Sequence, residues 1–444
     1  MSDQHRYDYY GAAGAEFVRT PNLDKLAERG MRFSHCCTNA PVCSPARIGL
    51  ASGLQPSRLG SLDNNSFLPH NTKTYYQRLR DHGYRVGLIG KSDLAKPDRY
   101  NGRYGDRPSG YTYGFTHPEE CEGKMHAGNT PGPVGPYTFY LQEKGLYKKF
   151  QDDYLLRQSR GWIRNASHDS ALPAEDFEDI YIGRRATQWI ENIPDDFPWH
   201  LFVSFVGPHD PFDPPKEYAD RYREADMPEH IHDEHNGKPA WVKKRALDCS
   251  SEETRLHRQQ YCALVELIDE QIGHILEALE KRGMLDHTVI IYSSDHGEML
   301  GDHGLYQKSF AYESALRVPL IIDGPGVESG KATDTLVELI DINPTICELA
   351  GLPAQENIDA KSLVPVLRGS TGLHRDNTIA ALRHLRCIRT RTHKLIDCYN
   401  DICELYDLEN DPDELNNIAD DNPEIVRELR QLMSKRFTEG KHLR

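Results

Sequence analysis

Residues 288–304 read TVIIYSSDHGEMLGDHG. The first seven are rich in β-branched and aromatic residues and end at a polar, glycine-rich turn, which predicts a buried strand. Asp295 and His296 stand directly at its carboxyl end. In open α/β sheets ligands bind in the crevice beyond the carboxyl ends of the strands. A carboxylate and an imidazole there suit a divalent cation, and they equally suit a polar turn. The pattern recurs twice. HLFVSFV (200–206) predicts a strand ending just before Pro208 and His209, and the apolar run from Tyr84 to Ile89 predicts one ending before Gly90-Lys91-Ser92-Asp93. Three strand ends carrying ionisable groups converge on one edge of a sheet.

Working outward, helical patterns cover 22–30, 72–82, 175–192 and about 251–282. In the last, Leu264, Ile268, Ile272, Ile275, Leu276 and Leu279 share a face. VPLII (318–322) predicts a further strand. Helix and strand alternate, so the expected fold is α/β, a large mainly parallel sheet flanked by helices. Residues 97–174 are rich in Gly, Pro and Tyr and read as an irregular insertion near the site. A linker near 365–378 precedes short antiparallel strands and a helix over about 423–437. The expected division is a catalytic domain over 1–368 and a small C-terminal α+β subdomain over 369–444.

The chain has 444 residues, with 53 Lys and Arg against 68 Asp and Glu, a net charge of −15. An acidic chain without a basic block is a poor binder of nucleic acid. No apolar run reaches the roughly eighteen residues a membrane span needs. The opening MSDQHRYDYYG has no signal-peptide core, and the ten cysteines form no CxxC pair. As written, the chain reads as cytoplasmic with reduced thiols.

PVCSPARIGLASG (41–53) carries the remaining chemistry. Ser44 is a good N-cap and Pro45 suits the first helical turn, so Cys43 sits just before a helix N-terminus that favours an anion. Arg47 adds a fixed positive charge. This is a nucleophile beside an oxyanion site, or a buried cysteine next to a well-capped helix.

In order along the chain, TPNLDKLAERGMRF (20–33), APVCSPAR (40–47), GYRVGLIGK (83–91), Pro208–His209, SSDHGEMLGDHG (293–304) and ELYDLENDPDELNN (404–417) carry a family likeness. The chain resembles the formylglycine-dependent (type I) sulfatases of the alkaline phosphatase superfamily. The resemblance implies an alkaline-phosphatase-like fold and oxidation of Cys43, in Cys-x-Pro-x-Arg, to formylglycine by a formylglycine-generating or anaerobic sulfatase-maturating enzyme. It implies Asp3, Gln4, Asp295 and His296 as metal ligands, with Ca2+ favoured by the oxygen donors and Mn2+ or Mg2+ left open by His296. Arg47 would orient the formylglycine hydrate, His209 would protonate the leaving group, and Lys91 and Lys308 would grip the sulfate. The substrate would be a sulfated carbohydrate or a small organic or aryl sulfate.

Two departures stand out. The common Gly-Lys-x-His motif is here Gly90-Lys91-Ser92-Asp93, so Asp93 replaces a histidine near residue 43. A second string, Gly123-Lys124-Met125-His126, mimics the motif, and His126 could fold back to the substrate, as could Arg317 beside Glu313. Family members also carry an apolar strand before the Asp3-type ligand, where this chain has only Met1 and Ser2; the expectation is that the true start lies further upstream. A phosphonate monoester or phosphodiester hydrolase uses a very similar core and is the alternative activity; a catalytically silent binding protein is a third reading. EHIHDEH (229–235) reads as a solvated loop that could bind metal.

Overall fold

Val86, Leu88 and Ile89 are fully buried along β2 (Arg85–Gly90), which pairs in parallel with β4 (Trp199–Ser204) on one side and β3 (His117–Glu120) on the other. Gly90 closes β2 with φ 102, and a Cβ there would lie 2.0 Å from the Ser204 carbonyl oxygen, so only glycine permits this close approach before Lys91. The computed structural model describes residues 1–159 and 167–438. A second sheet runs in the order β5–β6–β1–β7, built from β1 (Met31–Cys37), β5 (Ile290–Ser293), β6 (Arg317–Asp323) and β7 (Lys331–Glu338). Its β6 runs antiparallel to both neighbours, while β1 and β7 are parallel.

The first three residues join the two sheets. Met1 N donates to Val203 O at 2.9 Å and Phe205 N–H to Met1 O at 3.0 Å; Ser2 N–H donates to Ser293 O at 3.0 Å and Asp3 N–H to Gly207 O at 2.9 Å. Both bridges, Ser2–Ser294 and Asp3–Pro208, are parallel. Behind Met1 an apolar cavity of about 600 Å³ separates β4 from β5, lined by Leu201, Val203, Ile272, Leu276 and Ile290 among others.

Helices cover both faces. On one, Glu178–Asn192 packs against the long helix Ser251–Lys281 through Ile182, Ala186, Leu264 and Ile268. Ser250 caps the long helix in a reciprocal bond pair with Glu253. On the other lie Cys43–Ser52, Tyr75–Asp81 and Ile342–Leu349, whose Ile48, Leu50, Leu79 and Ile342 pack on Val86, Leu88, Leu320 and Val337. The C-terminal sheet is a four-stranded antiparallel meander, β8 (Thr378–Leu382), β9 (Leu385–Arg389), β10 (His393–Cys398) and β11 (Glu404–Asp407). It is covered by the helix Pro423–Thr438 through Val426, Leu429 and Met433.

Among its described residues, the stretch expected to be irregular carries short elements. Within 97–174 lie β3 and helices Pro108–Thr112, Lys124–Gly128, Pro136–Glu143 and Tyr147–Ser159. The glycines and prolines mark the breaks between short elements, and Tyr137, Phe150 and Tyr154 supply their shared core. Among the described residues no helix is long and apolar enough to cross a membrane.

Candidate active site

Cys43 is the first residue of the helix Cys43–Ser52, with Val42 extended as N-cap. Ser44 fixes this start: its N–H donates to Asn64 Oδ1 at 3.0 Å and its hydroxyl to the Asp93 carbonyl oxygen at 2.6 Å. The Cys43 Sγ lies 3.2 Å from His296 Nε2 and 3.7 Å from Asp3 Oδ1. Asp3, Cys43, Asp295 and His296 are buried, and one donor atom from each lies within 4.8 Å of all the others. His296 Nδ1 donates to the Gly297 carbonyl oxygen at 2.9 Å, which leaves the Nε2 lone pair directed at this group. Two carboxylates, an imidazole nitrogen and residue 43 around one point fit a divalent cation.

Arg47 binds the cluster from below. Its Nε donates to Asp295 Oδ2 at 2.7 Å, Nη2 to Asp3 Oδ2 at 3.1 Å, and Nη1 to Lys91 O at 2.8 Å and Ser204 Oγ at 2.7 Å. Lys91 Nζ lies 2.5 Å from Asp3 Oδ2 and 3.2 Å from Asp93 Oδ2. Burial pushes the Asp3 carboxyl up, but Lys91 and Arg47 hold it well below the usual carboxylate range. Burial and Asp3 likewise raise the Cys43 thiol, and the ammonium groups of Lys308, Lys91 and Lys96 outweigh them, holding it well below the ordinary thiol range.

Asp93 is flanked by two lysines, since Lys96 Nζ lies 2.6 Å from its Oδ2. Against its burial, Lys91 and Lys96 hold it firmly ionised. Asp93 therefore serves as a counter-charge, not as a proton donor. Lys96 was not singled out from the sequence; its spacing, i+3 from Asp93, was the available signal.

On the opposite side His209 Nδ1 donates to the Asp210 carbonyl oxygen at 2.6 Å, and its Nε2 meets Lys308 Nζ. Asp210 and Glu298 stand behind, and neither was read from the sequence although each adjoins a motif residue. Burial and the Asp210 carboxylate push Glu298 up.

Gln4, expected as a metal ligand, turns its carboxamide elsewhere. Its Nε2 faces Asp210 and Glu298, and its Oε1 accepts from Lys308 at 2.6 Å; only its backbone N–H touches the cluster, at Asp295 Oδ1, 3.1 Å. Four non-glycine residues here have left-handed backbones, Gln4 (φ 72), Asp93 (φ 56), Gln307 (φ 67) and Ser309 (φ 75). Each such residue costs about 1–3 kcal/mol and persists where its surroundings over-determine it.

His126 lies beside this group, acted on by the charges of Asp93, Arg99, Arg107 and Lys96, with Nε2 buried and unbonded. Arg317 does not join it: its guanidinium stacks 3.7 Å over Tyr7, pairs with Glu313 at 3.3 Å and donates to Ser34 O. Tyr7 and Glu313, which offer a flat ring and a fixed carboxylate, hold it away from the Cys43 group.

The profile of the Sulfatase family matches residues 1–352, and that of the N-sulphoglucosamine sulphohydrolase C-terminal region matches 301–441. The chain is 30% identical to choline-sulfatase of Rhizobium meliloti (strain 1021), over 95% of this chain and 82% of that protein. It is 29% identical to N-acetylglucosamine-6-O-sulfatase of Bacteroides thetaiotaomicron, over 98% and 84%. Its fold superposes on phosphonate monoester hydrolase of Agrobacterium radiobacter with a TM-score of 0.83 at 25% identity, covering 99% of this chain and 94% of that one. The chain belongs to the sulfatase family of the alkaline phosphatase superfamily, and it is an enzyme of the sulfuric ester hydrolase class.

Proposed function

We propose that the enzyme hydrolyses a sulfate monoester, of a carbohydrate or of a small organic or aryl alcohol, through a formylglycine made from Cys43 beside a divalent cation. The observation that carries this reading is the place of Cys43, at a helix N-terminus, 3.2 Å from His296 Nε2 and in the field of Lys91 and Lys308. A hydrated formylglycine there supplies one hydroxyl to attack sulfur and a second whose deprotonation expels sulfate and restores the aldehyde. The oxidation is the work of a maturating enzyme, the partner this reading requires. Asp3, Asp295, His296 and residue 43 would hold the cation, which would supply positive charge toward the sulfate oxygens, and the oxygen donors favour Ca2+ over Mn2+ or Mg2+.

The chain's own residues do the rest. Arg47, locked by four hydrogen bonds, fixes both metal-binding carboxylates and so the height of residue 43. Lys91 and Lys308 face the sulfate oxygens from two sides. His209 is oriented through Nδ1 and its Nε2 meets Lys308 Nζ, so the pair would pass a proton to the bridging oxygen as that bond breaks. His126, whose Nε2 is unbonded and feels the Asp93 charge, would meet the alcohol portion of the substrate.

The test is the mass of the Cys43 peptide from enzyme made in a converting host, paired with turnover of an aryl sulfate. A peptide lighter by the exchange of CH2SH for CHO, with turnover lost in Cys43→Ala and on chelation, is expected. An unconverted thiol at full turnover overturns the proposal. The likeness to phosphonate monoester hydrolase supports a second reading, hydrolysis of a phosphonate monoester or phosphodiester by the same residues. Comparing kcat/KM for a phosphonate monoester and a sulfate ester decides between them.

A further inference from the structure

Away from the Cys43 group, Glu229, His230 and His232 bring one carboxylate and two imidazole donor atoms within 4.8 Å of one another. The two rings lie with centroids 4.0 Å apart. None of the three side chains has a hydrogen-bond or ion-pair partner among the described residues, whereas their neighbours are all engaged. Asp233 accepts from His303 Nδ1 at 2.7 Å, and His235 Nε2 donates to His303 O at 2.7 Å.

The backbone that presents these donors is held although it belongs to no helix or strand. Ile231 N–H donates to Asp302 Oδ1 at 3.0 Å, and Ile231 O accepts from His303 N–H at 2.8 Å. Arg258 Nη1 donates to Pro228 O at 2.9 Å and to Glu229 O at 3.2 Å. Asp302 is itself fixed by Arg6 and Arg258, each at 2.6 Å. His230 and His232 therefore flank a pinned residue, and little conformational entropy is left to lose when both rings turn to one ion.

We propose that Glu229, His230 and His232 form a second metal site, for a late first-row divalent cation of the Zn2+ type, with solvent completing the coordination. Two imidazoles and a carboxylate select a borderline ion rather than Ca2+. All three donors lie within 229–232, a segment already bonded to Asp302 and His303, so the ion would stiffen this loop where it stands. This site is independent of the reading of Cys43.

The test is calorimetric titration of Zn2+ into the full-length enzyme already saturated with Ca2+. We expect one Zn2+ equivalent in the parent chain that disappears in His230→Ala/His232→Ala, with affinity at least tenfold weaker in Glu229→Gln. Zn2+ should raise the unfolding temperature of the parent chain and leave that of the double variant unchanged. The substitutions remove no side-chain hydrogen bond among the described residues, so the variants should fold, and circular dichroism checks this. Equal Zn2+ stoichiometry and affinity in parent and double variant, or no Zn2+ uptake by the parent chain, overturns the proposal.

Discussion

Lys124 Nζ donates to the carbonyl oxygen of His209 at 3.1 Å, to that of Pro211 at 2.9 Å, and pairs with Asp213 at 2.6 Å. One buried ammonium thus clamps the loop that carries His209. The Gly123–His126 string that mimics the Gly90–Asp93 motif acts from behind the site, and Lys124 is a positioning residue. Lys124→Met removes the one cation bonded to Asp213 among the described residues, leaving it only the field of Arg157, and should cost about 3 kcal/mol by denaturant unfolding. In the fraction that folds, kcat should fall with KM little changed, and Lys124→Arg should recover part of it. A folded Lys124→Met enzyme with full kcat would remove this role.

Lys91 and Lys96 differ in exposure. The Lys91 side chain is buried between Asp3 and Asp93, while that of Lys96 is 30% exposed. Lys91→Ala should lower kcat by about 10²–10³-fold, the scale for removing a donor to developing charge. Lys96→Ala should cost about tenfold at low salt and less at high salt, because a partly exposed charge is screened. Equal losses for both, independent of salt, would contradict this ordering.

Burial pushes the Asp179 carboxyl up to about 6, against Lys124 and two backbone N–H donors, Val206 and Gly207. The folded protein thus holds this proton more tightly than the unfolded chain between the ordinary carboxylate value of 3.8 and about 6. Stability from this group is present below that window and lost as pH rises through it. Asp179→Asn keeps an oxygen for both N–H donors and does not titrate. It should flatten the stability profile between these pH values and gain roughly 3 kcal/mol at pH 8. A profile of unchanged slope would refute the assignment.

The cavity of about 600 Å³ behind Met1 is flanked by β4 and β5, whose facing edges have no strand between them there. An apolar five-residue segment added ahead of Met1 should enter it as a parallel strand. Each Val, Leu or Ile buried there contributes about 1.5–3 kcal/mol. Denaturant unfolding against a Gly/Ser segment of equal length measures this, and equal stabilities would exclude strand insertion.

Much of the layout was legible because burial on two faces writes continuous apolar runs, as in β2 and β4, and one-sided burial writes the period of Ser251–Lys281. β1 and β7 were not read. MRFSHCC mixes polar and apolar residues, and KATDTLVE begins exposed and ends buried. Of the expected site residues, Asp3, Cys43, Lys91, Asp295 and His296 meet because each lies at or just past the end of an element where the two sheets adjoin, and Arg47 joins them from one turn into the Cys43 helix. Lys308 and His209 meet through loops whose backbone turns, such as the left-handed Gln307 and Ser309, no periodicity encodes. The different neighbours of Gln4 and Arg317 follow from contacts between distant segments, Lys308 for one and Tyr7 for the other.

Asp3 is set where two half-sheets are basted together by a three-residue thread. Its carboxylate and its amide serve different masters, one the proposed cation and the other the seam. Loss of the ion should therefore register as breathing between the halves, seen as faster amide exchange at Ser2, Asp3 and Phe205, well before any global unfolding.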